Sequence, residues 1–497
     1  MGIPFYFYNI TKKYKNIVIN SLPYNPDIYA IDFNGIIHPI ANKIINNNGT
    51  EEDIINELWN KIINYIDIIK PKKLIICVDG IAPIAKIIQQ RKRRYLTVYK
   101  NKIDNIIPKW DTNSISPGTN FMNKLNIFLK NKIRYYETDI NIIYSGSDEN
   151  GEGEHKIFDK LLLEDNNSNI IINGLDADLI ILSLLSNKKN IFLMRENLDN
   201  NNVFLNIKDL KNYIIIDLKS KWNLNDINNN DLIETYCIMC TILGNDFIPH
   251  LLTLNLKENG LDKLIDITGN SINNHGLLVN NNIINNDCLI DIFQKISDTE
   301  EKDLFNEIQK YINKKPTKFY LKSDEYAIKN KDNIAYNIYD NYHKWKYLYY
   351  KNLFNININI DTNVINTSCY NYIYGIHWTY NYYKKLNLNL NWYYPYNYPP
   401  TTKDIFNFIK VNKIENIKSE GNFLDPKIQL LLILPKDSIE LINSDYKKYI
   451  TDINLGLYHL YPSSYKINTF LKYHLWECFP ILPTININYI NNILKNK

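Results

Sequence analysis

The sequence shows no run of eighteen apolar residues and no signal peptide, so neither a helical membrane span nor a secretory route is expected. Gly2 invites N-myristoylation, but Tyr6 breaks the pattern. Cysteine is sparse: Cys77, Cys237, Cys240, Cys288, Cys369 and Cys478 are scattered. Cys237 and Cys240 form a CxxC in an apolar segment with no second pair following, so they read as buried thiols one helical turn apart. A strong charge of one sign is also missing. A net charge of +4 is too small to imply nucleic acid, so only clustering can carry that argument. Gly (16) and Ala are scarce while Asn, Ile, Lys and Tyr (39) abound, the signature of AT-rich coding. Asn runs such as Asn46 to Asn48 therefore carry no meaning, and no internal repeat is visible. What remains is ordinary globular composition, 45% hydrophobic and 22% charged over 497 residues, enough for two to four domains. An intracellular protein, cytoplasmic rather than nuclear, is expected, with no membrane association.

Against that background the acids stand out. GEGEH (Gly151 to His155) and GLDADL (Gly174 to Leu179) place four carboxylates within about 27 residues. Carboxylates packed so closely repel unless a cation sits among them, and hard oxygen ligands favour Mg²⁺ or Mn²⁺. The surrounding pattern tells where they lie. Ile28 to Phe33 reads as a buried strand ending near Asp32, and Leu74 to Val78 as a second ending at Asp79. Asn141 to Tyr144 leads into Glu152 and Glu154, and Ile170 to Asn173 into Asp176 and Asp178. Between the first two strands, Thr50 with Asp53 resembles a capping box, and Ile54, Leu58, Ile62, Ile66 and Ile69 keep helical spacing until Pro71.

Strand–helix alternation implies an α/β fold with a parallel sheet, in which ligands gather beyond the carboxyl ends of the strands. A seventh acid, Asp246, follows an apolar helix over Leu232 to Leu243. Any one of these acids alone would be read as solvated or capping. Seven at one sheet edge predict a metal site holding two cations about 4 Å apart, one activating water and one stabilising the leaving oxygen. Downstream of Asp79, Lys86, Arg91, Lys92, Arg93, Arg94, Lys100 and Lys102 come without an intervening acid. On a helix starting near Pro83, Lys86, Gln90, Arg93 and Arg94 share one face, a stripe suited to phosphate. Later, Asn255 to Asn333 reads as linking helices and loops, Ala335 to Phe354 as one Tyr-rich helix, Gly375 to Pro400 as densely aromatic, and Lys427 to Leu434 as a buried strand or helix.

These residues resemble the Xrn-type 5′→3′ exoribonucleases. Met1-Gly2-Ile3-Pro4-Phe5-Tyr6-Phe7 looks like that family's start, and Asp32-Phe33-Asn34-Gly35-Ile36-Ile37-His38 like its D-x-N-x-x-x-H stretch. Asp79 to Pro83 with Gln89-Gln90-Arg91 and Arg93-Arg94 looks like its DGVAPRAK…QQRxRR block. Ser116-Pro117-Gly118-Thr119, GEGEHK, GLDADL, Met194-Arg195-Glu196 and Gly244 to Pro249 follow in family order. Trp378, Trp392-Tyr393-Tyr394-Pro395-Tyr396 and Trp476-Glu477 resemble its aromatic block and late Trp-Glu.

The resemblance implies a PIN-like 5′-nuclease core over 1–265 and a variable segment over 266–334. A second, mostly helical and aromatic-rich region would follow over 335–483, then a tail over 484–497. It makes Asp32, Asp79, Glu152, Glu154, Asp176, Asp178 and Asp246 the metal-binding set. Lys86, Gln90, Arg93 and Arg94 would form a pocket for a 5′-monophosphate, with His38 and Trp378 stacking on the first base. The implied activity is metal-dependent degradation of single-stranded RNA from a 5′-monophosphate end to mononucleotides, with capped or triphosphorylated ends rejected. Two departures are visible. Ile84 stands where the family usually has Arg, and the chain stops just after the second region, without the extra carboxy-terminal domains of the large cytoplasmic members. Flap-type 5′ nucleases acting on branched DNA share an acid-rich parallel sheet, but the basic stripe with Gln90 and the aromatic block argue against them. A catalytically silent RNA-binding scaffold would have lost an acid, and none is lost.

Overall fold

The computed structural model describes residues 6–174, 176–196, 202–256, 259–316, 322–414 and 416–495. Residues 1–5 of the amino-terminal motif and Leu175 of GLDADL lie outside them. The first half is built on a seven-stranded sheet ordered β1-β7-β6-β5-β2-β3-β4. Its strands are β1 (Val18–Ile19), β2 (Ile28–Asp32), β3 (Lys73–Cys77), β4 (Asn141–Ser145), β5 (Asn169–Asn173), β6 (Asn190–Glu196) and β7 (Asn202–Asn206). The run from β6 through β5, β2 and β3 to β4 is parallel, while β7 and β1 close one edge antiparallel. The four strands expected from the sequence are therefore four sheet neighbours, β5-β2-β3-β4. The chain leaves β2 toward β3 and β4, then returns on the other side as β5 and β6. The switch falls between β2 and β5, which is where such sheets open a crevice at their carboxyl ends.

Helices α1 (Tyr6–Lys13), α2 (Asn34–Asn46), α3 (Glu51–Ile69), α4 (Ile84–Asp104), α5 (Asn120–Arg134), α6 (Gly153–Leu162), α7 (Ala177–Leu185), α8 (Ile207–Trp222) and α9 (Asn229–Ile242) accompany the sheet. Helix α3 begins with the expected reciprocal cap, Thr50 and Asp53 each bonding the other's backbone N–H, and buries Ile54, Leu58, Ile62, Ile66 and Ile69. Helix α4 starts after Pro83 and stops where Asn105 turns left-handed. Cys237 and Cys240 are buried free thiols on α9.

Helices α10 (Gly260–His275), α11 (Asn286–Asn313), α12 (Tyr326–Lys329), α13 (Asn333–Asp340), α14 (Trp345–Leu353), α15 (Thr362–Lys384), α16 (Thr402–Val411), α17 (Pro426–Ile433), α18 (Ser444–Thr451) and α19 (Ile487–Lys495) complete the fold. The single helix expected over Ala335 to Phe354 is two helices joined by a 3-10 turn. It breaks at Asn341, whose side chain bonds Asn337 O instead of leaving the backbone to continue. Lys427 to Leu434 resolves as helix α17. Polar composition hid the packing of α11, which buries Leu289, Ile292, Phe293, Ile296, Leu304 and Ile308 and lies against α16. One hydrophobic cluster runs from Tyr6 through the sheet, α7, α9, α11 and α15 to Phe470. Among the described residues no helix is long and apolar enough to cross a membrane.

Candidate active site

The carboxyl ends of β2, β3, β4 and β5 deliver six acids to one place, and the turn after α9 brings the seventh. Asp32 ends β2, and its carboxyl is raised well above the usual range by burial, then by Asp79, Asp176 and Glu152. Glu154 is raised by burial, then by Asp178 and Glu152, and Asp178 is pushed up to about 7 by burial and Asp246. Each acid interacts with at least one other, so the sheet and the turn after α9 bring together the seven that the sequence singled out.

Local chemistry fixes them. Asn34 donates to Asp79 Oδ2 at 3.0 Å and accepts from Asp79 N at 3.0 Å, which gives the Asn of Asp32-Phe33-Asn34 its use. Asp79 Oδ1 accepts the Gly153 N–H at 2.7 Å at the start of α6, where helix-end donors favour a carboxylate. A Cβ at Gly153 would stand 2.7 Å from Asp32 Oδ1, so a side chain there would drive the helix off the acids. A Cβ at Gly80 would meet Glu149 O at 1.6 Å, because Gly80 and Gly151 pack backbone to backbone (N to O, 2.9 Å).

At the centre lies Lys86. It is 6% exposed and pairs with Glu152 Oε2 at 2.6 Å and Asp246 Oδ2 at 2.8 Å. Burial would lower its pKa, but Asp246 and Glu152 hold it well above normal, and Lys86 in turn keeps the buried Asp246 low. One ammonium cannot neutralise seven carboxylates. Asp32 Oδ1 and Glu154 Oε2 are buried with no hydrogen-bond partner, and ligand atoms of Glu152, Glu154 and His155 lie within 4.8 Å of one another. Carboxylates with orphaned lone pairs, with the His155 ring beside them, fit hard divalent cations. His155 was quoted in GEGEH without being singled out. The signal was there, since it directly follows an acid of the set.

The basic stripe is divided by its tertiary neighbours. Lys86 belongs to the acids. Gln90 and Arg94 are half-buried and Arg93 is exposed on the remaining face of α4. Arg94 Nη1 is buried without a partner, and its guanidinium is pushed down to about 10 by burial and by Arg93. Arg91, in the same run, is a core residue that donates to Leu432 O at 2.7 Å and to Leu460 O. Ile84, in the place of the family's Arg, is buried beside Leu430 and Leu434 of the second region. An apolar anchor has replaced a charge there. His38 is exposed on α2, the helix that follows Asp32.

Trp378 corrects an expectation. It has no exposed surface, donates its indole N–H to Asn389 O at 2.7 Å, and packs against Phe247, Tyr382 and Trp392. The cause is helical phase. Trp378 precedes Tyr382 by four residues on α15, so both share the face that packs on α7 and α9. A base cannot reach it. Aromatic surface is offered instead in a cavity of about 240 Å³ lined by Gln89, Lys92 and Arg93 of α4, by Asn245 and Asp246, and by Tyr393, Tyr396, Trp476 and Phe479. Trp476 is 43% exposed there. Burial pushes Lys92 down to about 8, and Gln89 Oε1 and Asn245 Nδ2 are buried without partners. Tyr393, Tyr396 and Trp476 belong to blocks that carry the family resemblance, which gave them no role of their own.

Known proteins match both halves. A family model described as "XRN 5'-3' exonuclease N-terminus" matches residues 1–197. A second, "Xrn1 helical domain", matches 226–344 and 337–496. The "5'-3' exoribonuclease 1" of Homo sapiens is 27% identical over 98% of this chain and 33% of its own length. The "5'-3' exoribonuclease 2" of Gallus gallus is 24% identical over 98% of this chain and 69% of its own. The "5'-3' exoribonuclease 1" of Schizosaccharomyces pombe is 23% identical over 100% of this chain and 48% of its own. The chain thus spans between about a third and about two thirds of the length of these relatives. By its acids, its basic helix and these matches along its length, the chain belongs to the Xrn 5′–3′ exonuclease family.

Proposed function

We propose that this chain is a metal-dependent 5′→3′ exoribonuclease that takes single-stranded RNA with a 5′-monophosphate and releases mononucleotides. One observation carries the reading: seven converging carboxylates lie next to a cationic helix whose Arg94 keeps a buried guanidinium N–H without a partner. The acids hold Mg²⁺ or Mn²⁺, two ions in all, with Asp32, Asp79, Glu152, Glu154, Asp176, Asp178 and Asp246 as the donor set. Bound there, the ions supply an activated water and relieve the charge on the leaving oxygen. Gln90, Arg93 and Arg94 receive the terminal phosphate, where guanidinium forks give directed, charge-assisted bonds. Lys86, between Glu152 and Asp246, lies on the same helix face and links phosphate to acids. His38, exposed on α2, offers a flat ring for the first base, and Trp476 offers another within the cavity. Stacking accepts every base, which suits an enzyme that must remove all four.

The decisive assay compares one labelled RNA bearing a 5′-monophosphate, 5′-triphosphate or 5′-hydroxyl with its DNA counterpart, in Mg²⁺ and in EDTA, with product sizing. Mononucleotides from the 5′-monophosphate RNA alone, and only with metal, are expected. Internal fragments, or equal cleavage of branched DNA, would replace this reading with a flap-type one. Binding without cleavage would make the chain a scaffold.

A further inference from the structure

Two of the acids are held from the far half of the chain. Tyr382 O–H donates to Glu152 Oε1 at 2.5 Å, and Tyr383 O–H donates to Asp178 Oδ1 at 2.9 Å. Both tyrosines are buried in the last turn of α15. Consecutive helical side chains diverge by about 100°, so one turn can serve two acids only when they flank it. Glu152 precedes α6 and Asp178 opens α7, and α15 packs against α7.

The tyrosine rings are themselves fixed. Tyr382 stacks with His155 (centroids 3.8 Å, 27°) and with Trp378 (5.1 Å, 25°). Lys385 donates to His155 O at 2.6 Å and pairs with Asp159, while Tyr380 and Lys384 reach Glu234 Oε2 and Oε1 at 2.6 Å and 2.7 Å. Every polar side chain from Tyr380 to Lys385 that reaches the first half tightens the same turn.

The effect on Glu152 is the clearest. Tyr382 occupies Oε1 and Lys86 occupies Oε2, so the carboxylate cannot turn about its last bond without losing a charge-assisted bond. A carboxylate that binds a cation must be ionised and correctly aimed beforehand. Hydrogen bonds from outside the ligand set commonly provide both, and removing them typically lowers metal affinity about tenfold to a hundredfold. We propose that Tyr382 and Tyr383 are positioning residues that set the divalent-cation affinity of the acid cluster, so that the helical region completes the metal site through two hydroxyls. This rests on reading the acids as a metal site.

The test uses the full chain with Mn²⁺ as probe, without RNA, counting free Mn²⁺ by electron paramagnetic resonance. Tyr382→Phe and Tyr383→Phe delete one oxygen each and keep the rings. Each should weaken Mn²⁺ binding about tenfold, the double variant more, with melting in EDTA within a few degrees of the parent. Raising Mn²⁺ should then restore RNA hydrolysis in the single variants, with KM for RNA unchanged. Parental Mn²⁺ affinity in both single variants overturns the proposal, as does a large fall in melting temperature with affinity intact, which would make the hydroxyls structural only. Should Tyr382→Phe not fold, Tyr383→Phe decides by the same measurement. Asp32→Ala separates the two levels. If it abolishes Mn²⁺ binding while the tyrosine variants bind normally, the metal site stands and the hydroxyl role falls. If the parent binds no Mn²⁺, the metal reading itself falls and takes the hydroxyl role with it.

Discussion

Lys86→Met removes the Lys86 ammonium from the acid cluster while keeping an unbranched chain of similar length. In the parent that ammonium stands 2.6 Å from Glu152 and 2.8 Å from Asp246, almost wholly out of water. Removing one side of a buried pair leaves an uncompensated charge and typically costs about 3–5 kcal/mol. With an unfolding entropy of about 2.1 cal/mol/K per residue, 497 residues give roughly 1 kcal/mol/K. Metal-free protein should therefore lose about 3–5 °C in melting temperature. The loss should depend on pH. Lys86 keeps the Asp246 carboxyl low, a contribution present above the unfolded pKa and lost as pH falls through the folded one. In the variant, burial acts on Asp246 without that offset, so its carboxyl escapes the penalty only by taking up a proton. The gap between parent and variant in EDTA should thus be larger at pH 8 than at pH 5. Saturating Mn²⁺ supplies positive charge to the same carboxylates, so the gap should narrow. Differential scanning fluorimetry in EDTA and in Mn²⁺ at both pH values checks this. An unchanged melting temperature in EDTA, or a gap that Mn²⁺ leaves intact, would refute the claim that Lys86 offsets the repulsion among these carboxylates.

Asp178→Asn should abolish hydrolysis yet leave the fold intact, because it relieves repulsion. The Asp178 carboxyl titrates at about 7 in the fold, so its ionisation costs stability as pH rises from its unfolded value near 4. The parent in EDTA should melt higher at pH 5 than at pH 8, and the variant should flatten that slope. Arg94→Ala should lose preference for a 5′-monophosphate over a 5′-hydroxyl by about tenfold to a hundredfold; equal losses in a competition assay would reduce α4 to a nonspecific backbone tracker. Trp378→Ala should destabilise by about 3–5 kcal/mol as a core truncation. Trp476→Ala should instead weaken RNA binding by about 1–3 kcal/mol for every base, with melting little changed. The reverse assignment in paired binding and melting curves would restore Trp378 as the base platform.

The acids were legible because two regularities coincide: buried apolar runs of strand length, and carboxylates where those runs end. Glu152 and Asp178 could be placed from that alone. The antiparallel edge was not, since Val18–Ile19 and Asn202–Asn206 are short and carry no chemistry of their own. Helical phase grouped Lys86 with Gln90, Arg93 and Arg94, but phase cannot say which neighbour a long side chain meets. Lys86 found carboxylates, and Arg91, one position away from Gln90, found the carbonyls of Leu432 and Leu460. Trp378 was misjudged for a related reason. Among 39 tyrosines and 7 tryptophans, composition does not separate an aromatic that faces ligand from one that supports another ring. The hydroxyls of Tyr382 and Tyr383 were hidden by that abundance too.

The hydroxyl bridge from α15 also has a bearing on timing. A ribosome making this chain completes Asp178 some two hundred residues before it reaches Tyr382. At about 5–20 residues per second, that is roughly 10–40 s in which the acid-bearing sheet can fold while its last two hydroxyls are still unmade. If α15 sets the cation affinity as proposed, the acid cluster binds its cations more weakly through that interval. The acids thus wait for two hydroxyls that are made long after the carboxylates they hold.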